Sequence, residues 1–576
     1  MKNRKLYLGL IFVAIILTVA IITQLHKNDQ GIVLGNVVLS ESDYPEQWKT
    51  IIAHEMNEET TKLTVDGKTI LFEEENVYIC GDLDIMIPSN IVTDVFQCAF
   101  LQYEDNHIYL QKADKIVTIF PDINYVKIAN QSIYMENPMA VKNDFVYINA
   151  KVFEQAFAYE YTWDSDTNTL ALLDTNKNMT ILPASFNYRS IGKLPEIKNQ
   201  GSQSTCWAFA SLSALESTLA PKENQTYSVD NMAGNNGYFG NQSDGGNYTR
   251  AMAYLLAWKG PVLEADDPYG DGIVNRNANV KKHVQEIQLI ESKNLEAIKT
   301  AVFLYGGVES SLYTSMVNSK DTSMYYNRDT FAYCYVGTQN PNHDVVIIGW
   351  DDNYSKNNFN TELEADGAFI CMNSWGSEFG DEGLFYVSYY DSKIGMHNAV
   401  YSGVEKESNY DHIYQSDLCG WVGQLGYEEE TAYFSNVYQA ERDEDVSAVG
   451  FYATGKNTSY EIYYVSDFED ENSFEEKKYI QSGTVKNAGY YTIDLKTPIQ
   501  MEEEKKYAVV IKITTPNAVH PIAIEYKAGR DTKTVDISDG EGYISLTGKS
   551  WEHVEESKNC NLCLKMYTVN REVVEQ

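Results

Sequence analysis

The chain has 576 residues, which is too long for one ordinary hydrophobic core and indicates about three domains. Its hydrophobic fraction of 43% is typical of folded protein and excludes a largely disordered chain. The formal net charge of −37 would repel phosphate backbones and argues against nucleic-acid binding.

The first predicted element is an N-terminal transmembrane helix. Basic residues precede an uncharged run from Leu6 to Gln24, which is long enough to cross the roughly 30 Å of hydrocarbon in a bilayer. The basic flank favours a cytoplasmic tip, so everything after His26 is expected outside the cell. We therefore predict a cytoplasmic tip and membrane anchor over residues 1–27 and a tether over residues 28–60. The alternative is a cleaved signal peptide, which would make the protein secreted, but no small-residue cleavage site follows.

The next predicted domain, residues 61–176, is rich in β-strands. Its last elements are predicted as a strand over 146–149, a helix over 151–159 and two further strands over 161–163 and 169–173. This order resembles the N-terminal domain of copper amine oxidases, a stalk domain of exported bacterial proteins. The resemblance implies a spacer or wall-associated module but no copper, because the domain has no histidine cluster.

The eight cysteines are too sparse for a disulfide scaffold. Cys80 and Cys98 could pair within the stalk domain. Cys560 and Cys563 form a lone C-x-x-C without a second ligand pair, so zinc is not expected. We predict no metal and no cofactor.

The segment around Cys206 carries the strongest chemical signal. Residues 198–210 read KNQGSQSTCWAFA, and the residues that follow have a helical composition with leucines on one face. Ser204 and Thr205 are suitable N-terminal capping residues. Cys206 is therefore expected at the first turn of a buried helix, where free N–H groups and the helix dipole favour a thiolate.

A lone cysteine at a helix start is more often a small core residue than a nucleophile. Two later segments supply partners, because His343 stands just ahead of an apolar strand and Asn373 ends a second one. The two strands could place His343 beside Asn373, whose oxygen would accept a hydrogen bond from the imidazole ring. The other ring nitrogen would then face Cys206.

Three motifs in this order resemble those of the papain family of cysteine peptidases. They are Gln-Gly-Ser-x-x-x-Cys-Trp-Ala-Phe at 200–209, Asn-His-x-Val at 342–345 and Asn-Ser-Trp-Gly at 373–376. The resemblance covers about residues 195–400 and implies an α-helical lobe and a β-barrel-like lobe. We predict this peptidase domain over residues 184–405.

The resemblance also implies a role for each site residue. The catalytic set is Cys206 as nucleophile, His343 as acid and base, Asn373 as the orienting amide and Gln200 as the oxyanion donor beside the Cys206 N–H. The substrate-binding set is Gly245, Gly246, Trp375 and Trp207. Of these, Trp375 is also expected to shield the His343–Asn373 pair from water.

The sequence departs from the family at several places. Gln203 stands where the family usually has a cysteine, so that disulfide is missing. Asp344 replaces the usual small residue after the histidine; it could raise the pKa of His343, but we expect it to point away along the strand. Residues 351–366 are predicted to form an enlarged polar surface loop.

The last predicted domain, residues 410–570, alternates short apolar strands with turn residues, which suggests a β-sandwich. The clearest strands are predicted over 446–452, 460–465 and 507–513. The pattern resembles the lectin-like domain that follows papain-type peptidases in some prokaryotic surface proteins. A carbohydrate or cell-wall ligand is therefore one expectation, and a purely structural module is the other.

These predictions define an α+β protein: one transmembrane helix, a mainly-β stalk domain, a papain-like two-lobed peptidase domain and a C-terminal β-sandwich. The predicted function is a cell-surface cysteine endopeptidase that acts on proteins or peptides through a thiolate–imidazolium pair and an acyl-enzyme. One alternative is a surface adhesion or carbohydrate-binding protein with a papain-like scaffold. The other is a transpeptidase that uses the same residues.

Overall fold

The computed structural model describes residues 62–66, 68–70, 77–80, 84–96, 98–102, 108–112, 115–119, 125–128, 131–135, 137–142, 145–164, 168–174, 182–221 and 223–571. The predicted anchor and tether, residues 1–60, lie outside the described residues. Within these ranges, none of the helices is both long and apolar enough to span a membrane. The chain divides into two compact units between Leu194 and Pro195.

The described part of the first unit consists of short strands and two short helices. The strands are β1 (Lys62–Val65), β2 (Lys68–Ile70), β3 (Tyr78–Cys80), β4 (Asp84–Pro88), β5 (Ala99–Gln102), β6 (Ile108–Lys112), β7 (Lys115–Ile119), β8 (Tyr125–Ile128), β9 (Gln131–Tyr134), β10 (Met139–Lys142), β11 (Phe145–Asn149), β12 (Tyr159–Asp164), β13 (Thr169–Asp174) and β14 (Ser185–Asn187). The helices are α1 (Ser89–Asp94) and α2 (Lys151–Phe157).

Strands β1–β13 form small sheets in the orders β12-β13-β1-β2, β10-β11-β4-β3 and β5-β6-β7-β8-β9. The predicted order of strand, helix, strand and strand at the end of this unit is confirmed by β11, α2, β12 and β13. The helix ends two residues earlier than predicted, because Ala158 adopts a left-handed backbone conformation with φ of 57°.

The core of the first unit is apolar and includes aromatic contacts around α2. The ring centroid of Phe153 lies 4.1 Å from that of Phe96 and 6.1 Å from that of Tyr159. Cys98 is buried in the same core as a free thiol. The Cys80–Cys98 pairing that the sequence left open is therefore not formed, since Cys98 is a free thiol that serves as a small core residue.

The second unit begins with helices and continues mainly as strands. Its helices are α3 (Cys206–Leu219), α4 (Val229–Asn235), α5 (Tyr248–Leu256), α6 (Leu295–Leu304) and α7 (Val554–Ser557). Its strands are β15 (Lys282–Ile290), β16 (Val308–Leu312), β17 (Tyr326–Asn327), β18 (Ala332–Tyr333), β19 (His343–Asp351), β20 (Ala368–Met372), β21 (Leu384–Ser388), β22 (Asn398–Lys406), β23 (His412–Tyr414), β24 (Gly423–Leu425), β25 (Thr431–Gln439), β26 (Glu444–Ala453), β27 (Thr458–Val465), β28 (Lys478–Val485), β29 (Ala488–Met501), β30 (Lys506–Thr514), β31 (Ile522–Tyr526), β32 (Gly542–Ser545), β33 (Glu552–His553), β34 (Cys560–Leu562) and β35 (Leu564–Asn570).

Helix α3 is the central helix of the second unit. It packs on β16, β19 and β22 on one side and contacts α4 and α5 on another. Every side chain from Trp207 to Ser217 is buried, so α3 is enclosed on all sides rather than on one apolar face as predicted. Its buried serines find partners nearby; the Ser211 hydroxyl, for example, donates to the Trp207 carbonyl at 2.8 Å.

A single sheet runs through the second unit in the order β17-β18-β21-β20-β19-β16-β22-β15-β29-β26-β35-β23. Within it, β15 pairs with β29 from Glu286↔Tyr491 to Leu289↔Ala488. Strands that follow the predicted peptidase domain therefore extend its sheet. The loop predicted over 351–366 joins β19 to β20, and its Phe359 is buried in a small apolar cluster.

The C-terminal part of the second unit has two layers. A sheet in the order β28-β27-β30-β25-β32-β33 shares one apolar core with β26, β29 and β35 of the long sheet. Phe451 on β26, Ile462 on β27 and Ile511 on β30 are fully buried members of that core. The predicted strands over 446–452, 460–465 and 507–513 are confirmed, because they lie within β26, β27 and β30.

Candidate active site

Cys206 is the first residue of α3, as predicted, and it is a free, partly exposed cysteine. Thr205 is the N-cap, but its side chain makes no capping hydrogen bond. Its Oγ1 lies 2.8 Å from the hydroxyl of Tyr269, which donates to the backbone carbonyl of Gln200 at 2.8 Å. The predicted side-chain cap is therefore wrong, because the threonine hydroxyl instead helps to hold the loop that carries Gln200.

The surroundings of Cys206 disfavour an isolated thiolate. Burial raises the pKa of Cys206 to about 12, and the nearby carboxyl group of Asp344 adds to this rise. Hydrogen bonds from the backbone of Asp344 and Trp207 oppose it. The predicted preference for a thiolate at the helix start is thus outweighed by burial, and a thiolate here needs a cation beside it.

His343 and Asn373 meet across a pair of antiparallel strands. His343 begins β19, Asn373 follows β20, and the two strands pair through Val346↔Met372 and Ile347↔Cys371. The Nε2 atom of His343 lies 2.8 Å from Oδ1 of Asn373, which confirms the predicted juxtaposition. The same Oδ1 accepts from the backbone N–H of Ser374 at 2.8 Å, so it must be the amide oxygen and His343 Nε2 must carry the hydrogen.

Trp375 covers this pair as predicted. Its ring stacks on the His343 ring, with centroids 4.9 Å apart and planes inclined by 29°. Phe379 supports the other side of the indole at a centroid distance of 5.0 Å. Trp375 is only 5% exposed, so it excludes water from the hydrogen bond between His343 and Asn373 rather than offering a large surface to a substrate.

Burial lowers the pKa of His343 to about 4, although the hydrogen bond to Asn373 acts in the opposite direction. Neither His343 nor Cys206 therefore ionises readily alone.

Ser374, the residue after Asn373, holds Gln200 in place. The Gln200 side-chain oxygen accepts from the Ser374 hydroxyl at 2.7 Å, and the Gln200 backbone N–H donates to the Ser374 carbonyl at 2.8 Å. The side-chain Nε2 donates one hydrogen to the Gln203 carbonyl at 2.8 Å. Because an amide nitrogen carries two hydrogens, a second N–H is left for an oxyanion.

Gly245 and Gly246 present backbone close to the residue after Cys206. A Cβ on Gly246 would lie 2.5 Å from Cε2 of Trp207, so only glycine can rest on the indole at this distance. Gly245 has a φ of +74° with open space around it. Trp207 is 2% exposed, which indicates that it supports Gly246 from below and does not itself present a surface.

Asp344 points to the face of β19 opposite His343, as expected, and accepts from the Ser311 hydroxyl at 2.6 Å. It is nevertheless buried, next to a second acid, Glu309 of β16.

Glu309 accepts from Ser211 at 2.7 Å and Tyr401 at 3.0 Å, while its Oε1 has no hydrogen-bond partner. Burial raises the pKa of Asp344 to about 6, and burial together with the charge of Asp344 raises that of Glu309 well above its usual range. Burial and the neighbouring carboxyl group therefore both favour the protonated form of Glu309.

Three residues of this site were missed in the sequence. Ser374 lies inside a motif but shows no pattern of its own that reveals its link to Gln200. Tyr269 lies in a turn-like segment far from Cys206 in the chain. Glu309 lies in the fully buried strand β16, whose mostly polar sequence VESSL gives no sign of that burial.

Family models match three segments of the chain. Residues 64–172 match the copper amine oxidase N-terminal domain, residues 182–404 match the papain family cysteine protease and residues 413–568 match the lectin like domain. All three domain resemblances drawn from the sequence are thereby confirmed.

Curated relatives match the peptidase segment. Cathepsin S of Bos taurus is 29% identical over 243 residues, which are 40% of this chain and 66% of the relative. The viral cathepsin of Choristoneura fumiferana nuclear polyhedrosis virus is 28% identical over 232 residues, which are 39% of this chain and 64% of the relative. The chain thus spans slightly less than two thirds of the length of these relatives.

Solved structures match a longer part of the chain. The clostridial cysteine protease Cwp84, after propeptide cleavage, is 27% identical with a TM-score of 0.59, covering 67% of this chain and 99% of that one. A structure of the cysteine protease and lectin-like domains of Cwp84, a surface layer associated protein of Clostridium difficile, is 27% identical with a TM-score of 0.58, covering 68% and 89%. This similarity extends beyond the peptidase segment.

Proposed function

Since residues 182–404 form a papain-family cysteine protease domain, we propose that this chain is a cysteine endopeptidase that acts through Cys206 and His343. One observation carries the proposal: the 2.8 Å hydrogen bond between His343 Nε2 and Asn373 Oδ1. It occupies one ring nitrogen and leaves Nδ1 to accept the proton of a thiol.

The proposed reaction begins with transfer of the Cys206 proton to His343 Nδ1. The sulfur then attacks the peptide carbonyl, and the oxyanion is stabilised by the second side-chain N–H of Gln200 and the backbone N–H of Cys206. The imidazolium returns its proton to the leaving amine as the C–N bond breaks, which leaves a thioester on Cys206. A water molecule, deprotonated by His343, hydrolyses the thioester and restores the thiol.

We further propose that the peptidase acts outside the cell. The uncharged run from Leu6 to Gln24 supports an anchored or secreted protein, and the similar protein Cwp84 is described as surface layer associated. The stalk domain would then separate the peptidase from the membrane. The lectin-like domain, residues 413–568, supports a carbohydrate or cell-wall partner.

The adhesion-scaffold alternative is disfavoured by the intact site. A scaffold needs none of the hydrogen bonds that hold His343, Asn373 and Gln200 in place, yet all are present. The transpeptidase alternative shares every step up to the thioester and differs only in whether an amine or water attacks it.

The test uses the full-length protein in detergent with a quenched peptide library and an epoxide thiol reagent. We expect cleavage and covalent labelling of wild type, and Cys206→Ala should lose both, with kcat/KM reduced by at least about a thousandfold. Cys98→Ala, which removes a buried cysteine from the other unit, is the matched control and should keep both. Residual cleavage by Cys206→Ala at the wild-type rate would refute the proposal, and added amines would reveal transpeptidation in the products.

A further inference from the structure

A cavity of about 220 Å³ lies between the peptidase domain and the lectin-like domain. The peptidase side supplies Tyr248, Thr249 and Met252 of α5 and Leu289 of β15, and the lectin-like side supplies Trp421 and Tyr452. None of these side chains carries a charge. An apolar cavity of about 150 Å³ is enough to bind benzene, so this one has room for an aromatic side chain.

The walls of the cavity are held in fixed positions. Trp421 packs against Tyr452, with ring centroids 5.7 Å apart. Arg250 of α5 pairs with Asp531 of the lectin-like domain at 2.7 Å. Together with the β15–β29 strand pairing, these contacts hold α5 against the lectin-like domain, so the cavity exists before any ligand arrives.

The cavity lies next to the loop that contains Gly246, which packs against α3 near Cys206. Tyr248 follows Gly246 by two residues, and Gly246 rests on the indole of Trp207, which is adjacent to Cys206 in the chain. On its other side, the Tyr248 ring lies 6.4 Å from the His397 ring. A peptide that lies along Gly245 and Gly246 is therefore directed toward Tyr248.

The sheet gives the distance to be covered. His343 lies on β19 and Leu289 on β15, and the order β19-β16-β22-β15 places three strand spacings between them. The pairings Leu289↔Ala399, Glu309↔Ala399 and Glu309↔Val346 also place Leu289 level with Val346, three residues along β19 from His343. Three spacings of about 4.8 Å across the sheet and three residues of about 3.3 Å along the strand combine to about 17 Å. Because an extended peptide advances about 3.3 Å per residue, a side chain about five residues from the scissile bond reaches the cavity.

We infer that this cavity receives a large apolar or aromatic side chain of the peptide substrate, about five residues from the scissile bond, and that the lectin-like domain thereby contributes to peptidase specificity through Trp421 and Tyr452. The inference rests on the proposed peptidase function. A sugar is a poorer occupant, because the lining side chains offer hydroxyl groups and one indole N–H but no carboxylate, amide or guanidinium to bind several sugar hydroxyls.

The experiment measures kcat/KM of the full-length protein for quenched peptides that carry either Phe or Ala at one position, scanned about four to six residues to each side of the cleaved bond. A short fluorogenic dipeptide amide, which ends before the cavity, reports basal activity. We expect wild type to prefer Phe by about tenfold or more at one position. Trp421→Ala, which removes a wall, and Leu289→Trp, which fills the space, should both abolish the preference while cleavage of the dipeptide amide stays unchanged.

Tyr479→Ala is the matched control, because Tyr479 is a 57% exposed aromatic residue elsewhere in the lectin-like domain, and it should keep the preference. A flat Phe-to-Ala ratio at every scanned position in wild type, with the dipeptide amide still cleaved, would overturn this inference alone. No cleavage of either substrate class would overturn the proposed function as well. Retention of wild type on immobilised oligosaccharide that is lost in Trp421→Ala, with an unchanged Phe preference, would assign the cavity to a carbohydrate and also overturn the inference.

Discussion

At the scale of single residues, the proposed mechanism depends on two charges that form together. Burial raises the pKa of Cys206 to about 12 and lowers that of His343 to about 4, so each residue alone is neutral near pH 7. The Asn373 hydrogen bond supports the imidazolium, and Trp375 keeps water away from it. In the proposed mechanism, the thiolate and the imidazolium therefore form together, by transfer of one proton.

Asp344 provides a test of this electrostatic picture. Burial raises its pKa to about 6 in the folded protein, above its ordinary value of about 3.9 in an unfolded chain. The folded state therefore binds this proton more tightly, so the stability it contributes is present at low pH and is lost as the pH rises through about 6.

Asp344→Asn should remove this loss, since the amide stays neutral and its oxygen can still accept from Ser311. We expect the variant to be more stable than wild type at pH 8 by roughly 1–3 kcal/mol, with the difference vanishing toward pH 4. Because a negative charge is removed from beside Cys206, its thiol should also react faster with a neutral alkylating reagent. Denaturation midpoints measured across this pH range give the check, and parallel curves for the two proteins would contradict it.

At the scale of elements, the pieces that carry motifs were predicted well. The start of α3 at Cys206 and the meeting of His343 with Asn373 follow from sequence order and strand alternation. The side-chain cap of α3 was not predicted correctly, because Thr205 bonds to Tyr269, which is distant in the chain. The same reason applies to Glu309, whose partners Ser211 and Tyr401 come from other elements. Local patterns predict elements, whereas these contacts depend on how the elements pack.

The loop with the two glycines gives a prediction at this scale. Gly246→Ala places a Cβ within 2.5 Å of the Trp207 ring, so the loop must lift away from α3. We expect kcat/KM for peptides to fall by about tenfold or more, while labelling of Cys206 by a small thiol reagent is little changed. Gly245→Ala is the comparison, because its Cβ meets nothing and its cost of about 1–3 kcal/mol comes only from a backbone conformation, φ 74° and ψ −168°, that essentially only glycine adopts. Equal peptide kinetics for both variants would argue against a backbone-binding role for this loop.

At the scale of the whole molecule, the second unit joins two domains through one sheet. The peptidase and lectin-like segments were predicted separately from their motifs and strand patterns. Their connection through β15 and β29 was not predicted, because the pairing of strands that are distant in the chain produces no local periodicity in the sequence. This shared sheet is what allows Trp421 of the lectin-like domain to line a cavity beside the peptidase helix α5.

The central claim is that Cys206 forms the acyl-enzyme with the help of His343, and the most direct measurement is the mass of the trapped intermediate. The full-length protein is mixed with an activated peptide ester, quenched in acid and digested for mass spectrometry. We predict an acyl group on the peptide that contains Cys206 in wild type, and its rate of formation should fall by at least about a hundredfold in His343→Ala. An acyl group on another cysteine, or equal rates of acylation in the two proteins, would contradict the account.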